Sequence, residues 1–160
     1  MIDLALIIPF YNESEIIESF LGSLNKELKL LNDNILIVFI DDNSNDNSSD
    51  SISRFSFNSN VSYVILKHLV NSGNQQAIKT GLRYLSNIDF KRVLIMDSDG
   101  EDNPKNIHEL LNTSGDLVVA ARGVRQESYF FKSLYFIYKS LFKFMTGKKH
   151  DFGNFSVMSK

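Results

Sequence analysis

Two aspartates one residue apart, Asp97 and Asp99, follow the apolar run Val93 to Met96 and precede the triplet Asp102-Asn103-Pro104. Paired carboxylates just past a buried strand suit Mg²⁺ or Mn²⁺, hard cations that take oxygen ligands. Such an ion bridges diphosphate oxygens and neutralises charge growing on a leaving group. Three more polar clusters stand at residues 9–13, 41–46 and 122–125, each where an apolar run ends. In an open α/β sheet, ligands bind outside the carboxyl ends of the strands. The chain holds neither GxGxxG nor GxxxxGK[ST], so dinucleotide and P-loop chemistry lose their main support. The acidic stretch DDNSNDNSSDSIS (41–53) is rich in turn-forming and helix-capping residues, which suits its place after a strand. It is no calcium loop, because Asp46 stands where Gly is needed and Ile52 where Glu is needed. Residues 97–108 fail the same test.

The elements that must position these clusters alternate short apolar runs with amphipathic stretches, the signature of βαβ units and a mostly parallel sheet. Strands are expected at Leu4 to Pro9, Ile35 to Ile40, Val61 to Leu66, Arg92 to Met96 and Leu117 to Ala121. Ile16, Ile17, Phe20, Leu21, Leu24, Leu28 and Leu31 recur at helical spacing and predict a helix over Glu13 to Leu31. A second helix is expected at Gln75 to Leu85. Pro104 suits the first turn of a third, reaching about Leu111. No linker, repeat or boundary interrupts residues 1–160, which read as one α/β domain.

Composition narrows the classes further. With no cysteine among 160 residues, disulfides and thiolate chemistry are excluded. The start, Met-Ile-Asp running into apolar residues, lacks a basic n-region and reads as cytoplasmic. The net charge of −2 conceals an asymmetry. Residues 121–150 carry seven basic residues against one acid, Glu127, and the remainder is correspondingly acidic. Within that basic stretch, residues 128–145 combine aromatics such as Phe131, Tyr135 and Phe142 with Lys132, Lys139 and Lys143 at spacings that share one helical face. This segment is too short and too charged to span a bilayer. It suits a helix lying in an anionic membrane interface. A core helix or a contact in a homo-oligomer fits the same pattern.

Six motifs occur in order: IIPFYNE (7–13), FIDDNSNDNS (39–48), NSGNQQAIKTGL (71–82), VLIMDSDGEDNP (93–104), VAARGVR (119–125) and DFGNFSVMSK (151–160). Together they resemble the successive motifs of family 2 glycosyltransferases with the GT-A fold, closest to the polyprenyl-phosphate sugar transferases. The resemblance covers nearly the whole chain. It implies that Pro9, Tyr11 and Glu13 lie against the nucleotide base and ribose, with Ile40 and Asp42 in a second nucleotide-binding loop. It assigns Asp97 and Asp99 to the metal and diphosphate, with Ser98 between them, and Arg122 to the donor diphosphate. Asn71, Gly73 and Lys79 would form the donor-side wall. Gly100 and Glu101 stand where the subgroup commonly has Leu and Gln, and Ser156 where it often has Arg. Relatives continue past the equivalent of Lys160, so a short or shortened member is expected.

The reaction implied is transfer, with inversion, from a UDP- or GDP-sugar to a polyprenyl phosphate or saccharide acceptor, aided by Mg²⁺ or Mn²⁺. A lipid phosphate is already ionised and needs no general base, whereas a sugar hydroxyl does, for which Asp151 is the candidate. Such an acceptor places the protein peripherally on the inner face of the membrane, and no nucleic-acid partner is expected. Two alternatives stay open. A nucleotidyltransferase would show a Gly-rich basic loop after the first strand, which PFYNE lacks. A nucleotide-sugar-binding module without turnover would bind donor and release no nucleotide.

Overall fold

The computed structural model describes residues 1–121 and 152–160. In chain order the elements are β1 (Ile2–Phe10), α1 (Ile17–Leu28), β2 (Ile35–Asp41), α2 (Ser48–Arg54), β3 (Val61–Lys67), α3 (Asn74–Leu85) and β4 (Phe90–Ile95). A 3-10 turn at Pro104–Asn106 leads into α4 (Ile107–Asn112), followed by β5 (Leu117–Ala121) and β6 (Phe152–Ser159). The six strands form one sheet in the order β3-β2-β1-β4-β6-β5. The first four are parallel, and β6 runs antiparallel to both β4 and β5. A mixed, mostly parallel sheet flanked by helices matches the expected class.

Parallel strands carrying helices on both faces are buried on both sides and read as unbroken apolar runs. The segment Leu4–Ile8 shows this, each of its side chains being fully buried. Leu4, Leu6 and Ile8 share a buried cluster with Leu21 and Leu24 of α1 and Phe39 of β2. Ala5 and Ile7 face the other way, packing with Val38, Ile40 and the α3 residues Ala77 and Ile78. Each large side chain so buried contributes about 1.5–3 kcal/mol. Helix α3 lies close against the sheet through Gly81, where an added Cβ would stand 2.8 Å from a methyl of Ile7.

The structure departs from the expected elements at three points. Helix α1 begins at Ile17 rather than Glu13. Preceding it, the backbone N–H groups of Asn12 and Ser14 donate to Ser44 and Asp46 on the loop after β2, and that of Glu13 to Ser48 at the start of α2. Tertiary partners therefore hold this stretch as a turn, with Asn12 at a φ of 55°. Its far end stops at Leu28, and the side-chain amide of Asn60 meets the Leu28 and Leu31 carbonyls. Second, the latter half of the capping-rich stretch is itself a short helix, α2, with Asp46 accepting the N–H and hydroxyl of Ser48. Third, DFGNFSVMSK contains a strand, β6, that its composition did not announce. The proposed membrane-facing segment 128–145 lies outside the described residues, as do Arg122 and Asp151.

Candidate active site

Strands β1, β2 and β4 end side by side, so the three loops that leave them share one rim. Between these loops lies a cleft of about 130 Å³ lined by Pro9, Phe10, Tyr11, Glu13, Asp42, Asn74, Asp97, Ser98 and Asp99. The buried hydroxyl of Ser98 donates to the Pro9 carbonyl at 3.1 Å and ties the end of β4 to that of β1. Four carboxylates (Glu13, Asp42, Asp97 and Asp99) thus converge on a small space.

The loop after β2 is knitted by its own acids. Asp41, fully buried, accepts the Ser44 N–H at 2.6 Å and the Ser49 hydroxyl at 2.6 Å, with Lys67 Nζ at 3.4 Å. Burial by itself would raise its pKa, but these donors outweigh that and hold the carboxyl below the usual range. Asp42 Oδ1 accepts the Ser72 N–H at 2.9 Å and pairs with His68 Nδ1 at 2.8 Å. Its Oδ2 accepts the Gly73 N–H at 2.7 Å. Gly73 has a φ of 84°, a conformation glycine adopts without strain, and stands as the residue capping α3. Asp42 is lowered too: burial opposes its ionisation, and the Ser72 N–H, His68 and the Gly73 N–H prevail.

The loop after β4 is held differently. Asp97 Oδ1 accepts the side-chain amide of Asn74 at 2.9 Å, from the first turn of α3. Asn154 on β6 donates to both Asp97 oxygens, at 3.4 and 3.2 Å, and accepts from Gln75 Nε2 at 3.2 Å. Asp97 N–H donates to Asp102 at 2.8 Å, and Asp99 accepts the Glu101 N–H at 2.9 Å. Asp99 is exposed at the mouth of the cleft. Across from it, Glu13 is pushed up, first by burial and then by the charges of Asp99 and Asp46.

Of the residues expected from sequence, Pro9, Tyr11, Glu13, Asp42, Asp97, Ser98 and Asp99 come together in this cleft, and Gly73 joins through its bond to Asp42. Ile40 does not. Its side chain is fully buried in the core beneath α3 and does not line the cleft. Lys79 is exposed on α3, away from the cleft-lining set. Asn74, Gln75 and Asn154 escaped sequence reading, although all three sit inside the motifs NSGNQQA and DFGNF. As short amides they carry no charge or spacing signal. Only the sheet brings them to Asp97.

Among the described residues no group of three His, Asp or Glu side chains is arranged to hold an ion alone. Magnesium-type sites do not need one, since one or two carboxylates together with substrate phosphates suffice. The exposed Asp99, the oriented Asp97 and the crowding that raises Glu13 fit a cation arriving with a diphosphate.

Comparison with known proteins decides the family. The model of Glycosyl transferase family 2 matches residues 5–159. The chain belongs to that family. Among curated proteins it is similar to the undecaprenyl-phosphate 4-deoxy-4-formamido-L-arabinose transferase of Serratia proteamaculans, 29% identical over 153 residues. That match covers 93% of this chain and 46% of the relative, so the chain spans about half the length of the curated relatives it matches. The fold is shared with solved GT-A glycosyltransferases. Mannosyl-3-phosphoglycerate synthase from Rubrobacter xylanophilus aligns with a TM-score of 0.68 at 16% identity, over 99% of this chain and 53% of that one. Glucosyl-3-phosphoglycerate synthase from Mycobacterium tuberculosis, in complex with Mn²⁺, UDP and glucosyl-3-phosphoglycerate, aligns with a TM-score of 0.63 at 16% identity, over 99% and 57%. At this identity the likeness speaks for the fold alone.

Proposed function

We propose that this family 2 glycosyltransferase moves a sugar from a UDP- or GDP-sugar to a polyprenyl phosphate, with inversion at C1. The observation that carries the reading is the four-carboxylate cleft at the ends of β1, β2 and β4. A nucleoside fits against Pro9 and Tyr11, with Asp42 accepting from base or ribose, and its diphosphate then reaches the Asp97–Asp99 loop. Asp97 and Asp99 are the residues that would hold Mg²⁺ or Mn²⁺. When bound, the cation supplies neutralisation of the charge that develops on the departing diphosphate. The neighbour from Mycobacterium tuberculosis, solved with Mn²⁺ and UDP, supports that choice of ion and nucleotide.

Each residue of the chain then has a separate task. Ser98 fixes the β4 loop to β1, and the Asn74 and Asn154 amides orient Asp97. Arg122 is proposed as a guanidinium fork for the diphosphate. The acceptor oxygen attacks C1 in line while the bond to the diphosphate oxygen breaks, so charge stabilisation at the leaving group carries most of the rate. Polyprenyl phosphate is favoured as acceptor because the curated relatives are named for transfer involving undecaprenyl phosphate. A saccharide hydroxyl is the other acceptor class, and Asp151 would then serve as general base. Among the described residues no helix is long and apolar enough to cross a membrane. Access to a lipid acceptor would come from peripheral association, with residues 128–145 as the proposed contact.

Titration calorimetry with UDP-glucose, UDP-N-acetylglucosamine and GDP-mannose in Mn²⁺, followed by assay of free UDP or GDP in the presence of polyprenyl phosphate vesicles, tests the proposal. One donor should bind and be consumed only when acceptor is present. Absence of binding by any of the three would overturn the donor assignment, and binding without nucleotide release would overturn the activity.

A further inference from the structure

His68 is the first residue after β3, and sequence reading attached no role to it. Its ring stands between two elements. Nδ1 lies 2.8 Å from Asp42 Oδ1, and Nε2 lies 2.9 Å from the Thr80 hydroxyl on α3. The side chains of His68 and Asp42 are 15% and 5% exposed, so this pair lies largely out of water. Asp42 is ionised and can only accept, which assigns the proton to Nδ1. The Thr80 oxygen also lies 3.1 Å from the Gln76 carbonyl, within its own helix. The hydroxyl can turn its proton to that carbonyl or to Nε2, so the Nε2 contact adapts while the Nδ1 contact is fixed.

The geometry points to His68 as a positioning residue for the donor nucleotide, acting through Asp42. This inference rests on the reading of Asp42 as the group that meets the base or ribose. Asp42 is anchored from three directions, by the Ser72 N–H, the Gly73 N–H and His68. The two backbone donors belong to the loop at residues 68–73, whose Leu69 and Val70 are 95% and 65% exposed and offer little packing. A loop so poorly buried needs another anchor. The His68 ring supplies it, since the backbone N–H of the same residue also donates to the Asp41 carbonyl at 2.8 Å. With His68 in place, the carboxylate keeps its remaining lone pairs turned toward the cleft. Without it, Asp42 and the turn that opens α3 lose their common reference.

The two ring nitrogens can be replaced separately. In His68→Asn the side-chain amide takes the place of Nδ1 and keeps the bond to Asp42. In His68→Gln the amide takes the place of Nε2 and keeps the bond to Thr80. UDP and GDP binding are measured by calorimetry for the wild type, these two variants and His68→Ala. Amide hydrogen exchange at Ser72 and Gly73 is followed in parallel. Loss of one charge-assisted hydrogen bond should weaken nucleotide binding about tenfold in His68→Ala and His68→Gln. The Asn variant should stay within about twofold of wild type, with turnover at saturating donor unchanged in all three. Exchange at Ser72 and Gly73 should quicken in the Ala and Gln variants and stay slow in the Asn variant. An Ala variant that binds like wild type, or an Asn variant as weak as Ala, overturns the inference. Should the wild type bind neither nucleotide, the donor reading fails, and exchange alone then decides whether His68 holds the loop.

Discussion

Two acidic loops flank β1, and the same residue type does opposite work in each. After β2, Asp41, Asp42 and Asp46 are surrounded by backbone N–H groups and serine hydroxyls supplied by the fold itself. All three titrate below the usual range, Asp46 at about 2, where burial is outweighed by the Ser48 hydroxyl and the N–H groups of Ser48 and Ser14. After β4, among the described residues, Asp97 is met by the neutral side-chain amides of Asn74 and Asn154, and Asp99 stands exposed and accepts the Glu101 N–H. Its charge also helps to raise Glu13 across the cleft. Charges answered from within build a scaffold. Charges left facing one another are suited to an incoming cation. The donors, more than the aspartates, decide which role is taken.

The sharpest way to break this contrast is Asp99→Asn. Transfer should fall on the order of a thousandfold, roughly 4 kcal/mol of transition-state stabilisation, while the melting temperature stays within about 1 °C. Turnover measured beside a thermal melt checks both halves, and a large drop in melting temperature would place Asp99 with the scaffold. Asp41→Ala should behave in the reverse sense. It strands the Ser44 N–H and Ser49 hydroxyl in the interior and should cost about 2–4 kcal/mol of stability by denaturant unfolding.

Acid offers a subtler probe. A carboxyl whose folded pKa is depressed contributes stability above its unfolded value, lost as pH falls through the folded one. For Asp46 that window runs from about 4 down to about 2. Asp46→Asn should therefore be less stable than wild type at pH 6, on the order of 1 kcal/mol after solvent screening, with the gap closing toward pH 2. Glu13 carries the opposite sign. Its raised folded pKa favours the protonated form, a contribution present below the ordinary carboxyl value and lost as pH rises. Glu13→Gln should then melt slightly higher than wild type at pH 7.5, by about 0.5 kcal/mol, and match it near pH 4. A variant that melts lower at pH 7.5 would show that Glu13 belongs to the answered charges.

Much of this arrangement was legible in the chain because its cause is local. Strands such as Leu4 to Pro9 are buried on both faces, so burial leaves a continuous apolar run in the sequence. The acidic clusters were recognisable because each sits where such a run ends. What escaped depends on partners far away in sequence. Glu13 stands one turn before the apolar period that opens at Ile16, yet Ser48 takes its N–H and the helix starts four residues later. Strand β6 contains Gly153, Asn154 and Ser156, poor strand formers, and is held by ladders on both sides. Ile40 adjoins the aspartates in sequence, but it sits deeper along β2, where α3 covers its side chain and packs it into the core.

The insertion of β6 between β4 and β5 also governs the order in which the sheet can be finished. Strand β5 bonds to the sheet through β6, although β6 is made some thirty residues later. A nascent chain that has reached Ala121 can assemble the β3-β2-β1-β4 sheet but lacks β6, the native partner of β5, and β4 presents an open edge. Open edges recruit other strands, and closing over long sequence separations is slow. The carboxyl end of the described chain therefore acts as a keystone: until it is synthesised, β5 waits, and Asn154 cannot reach Asp97.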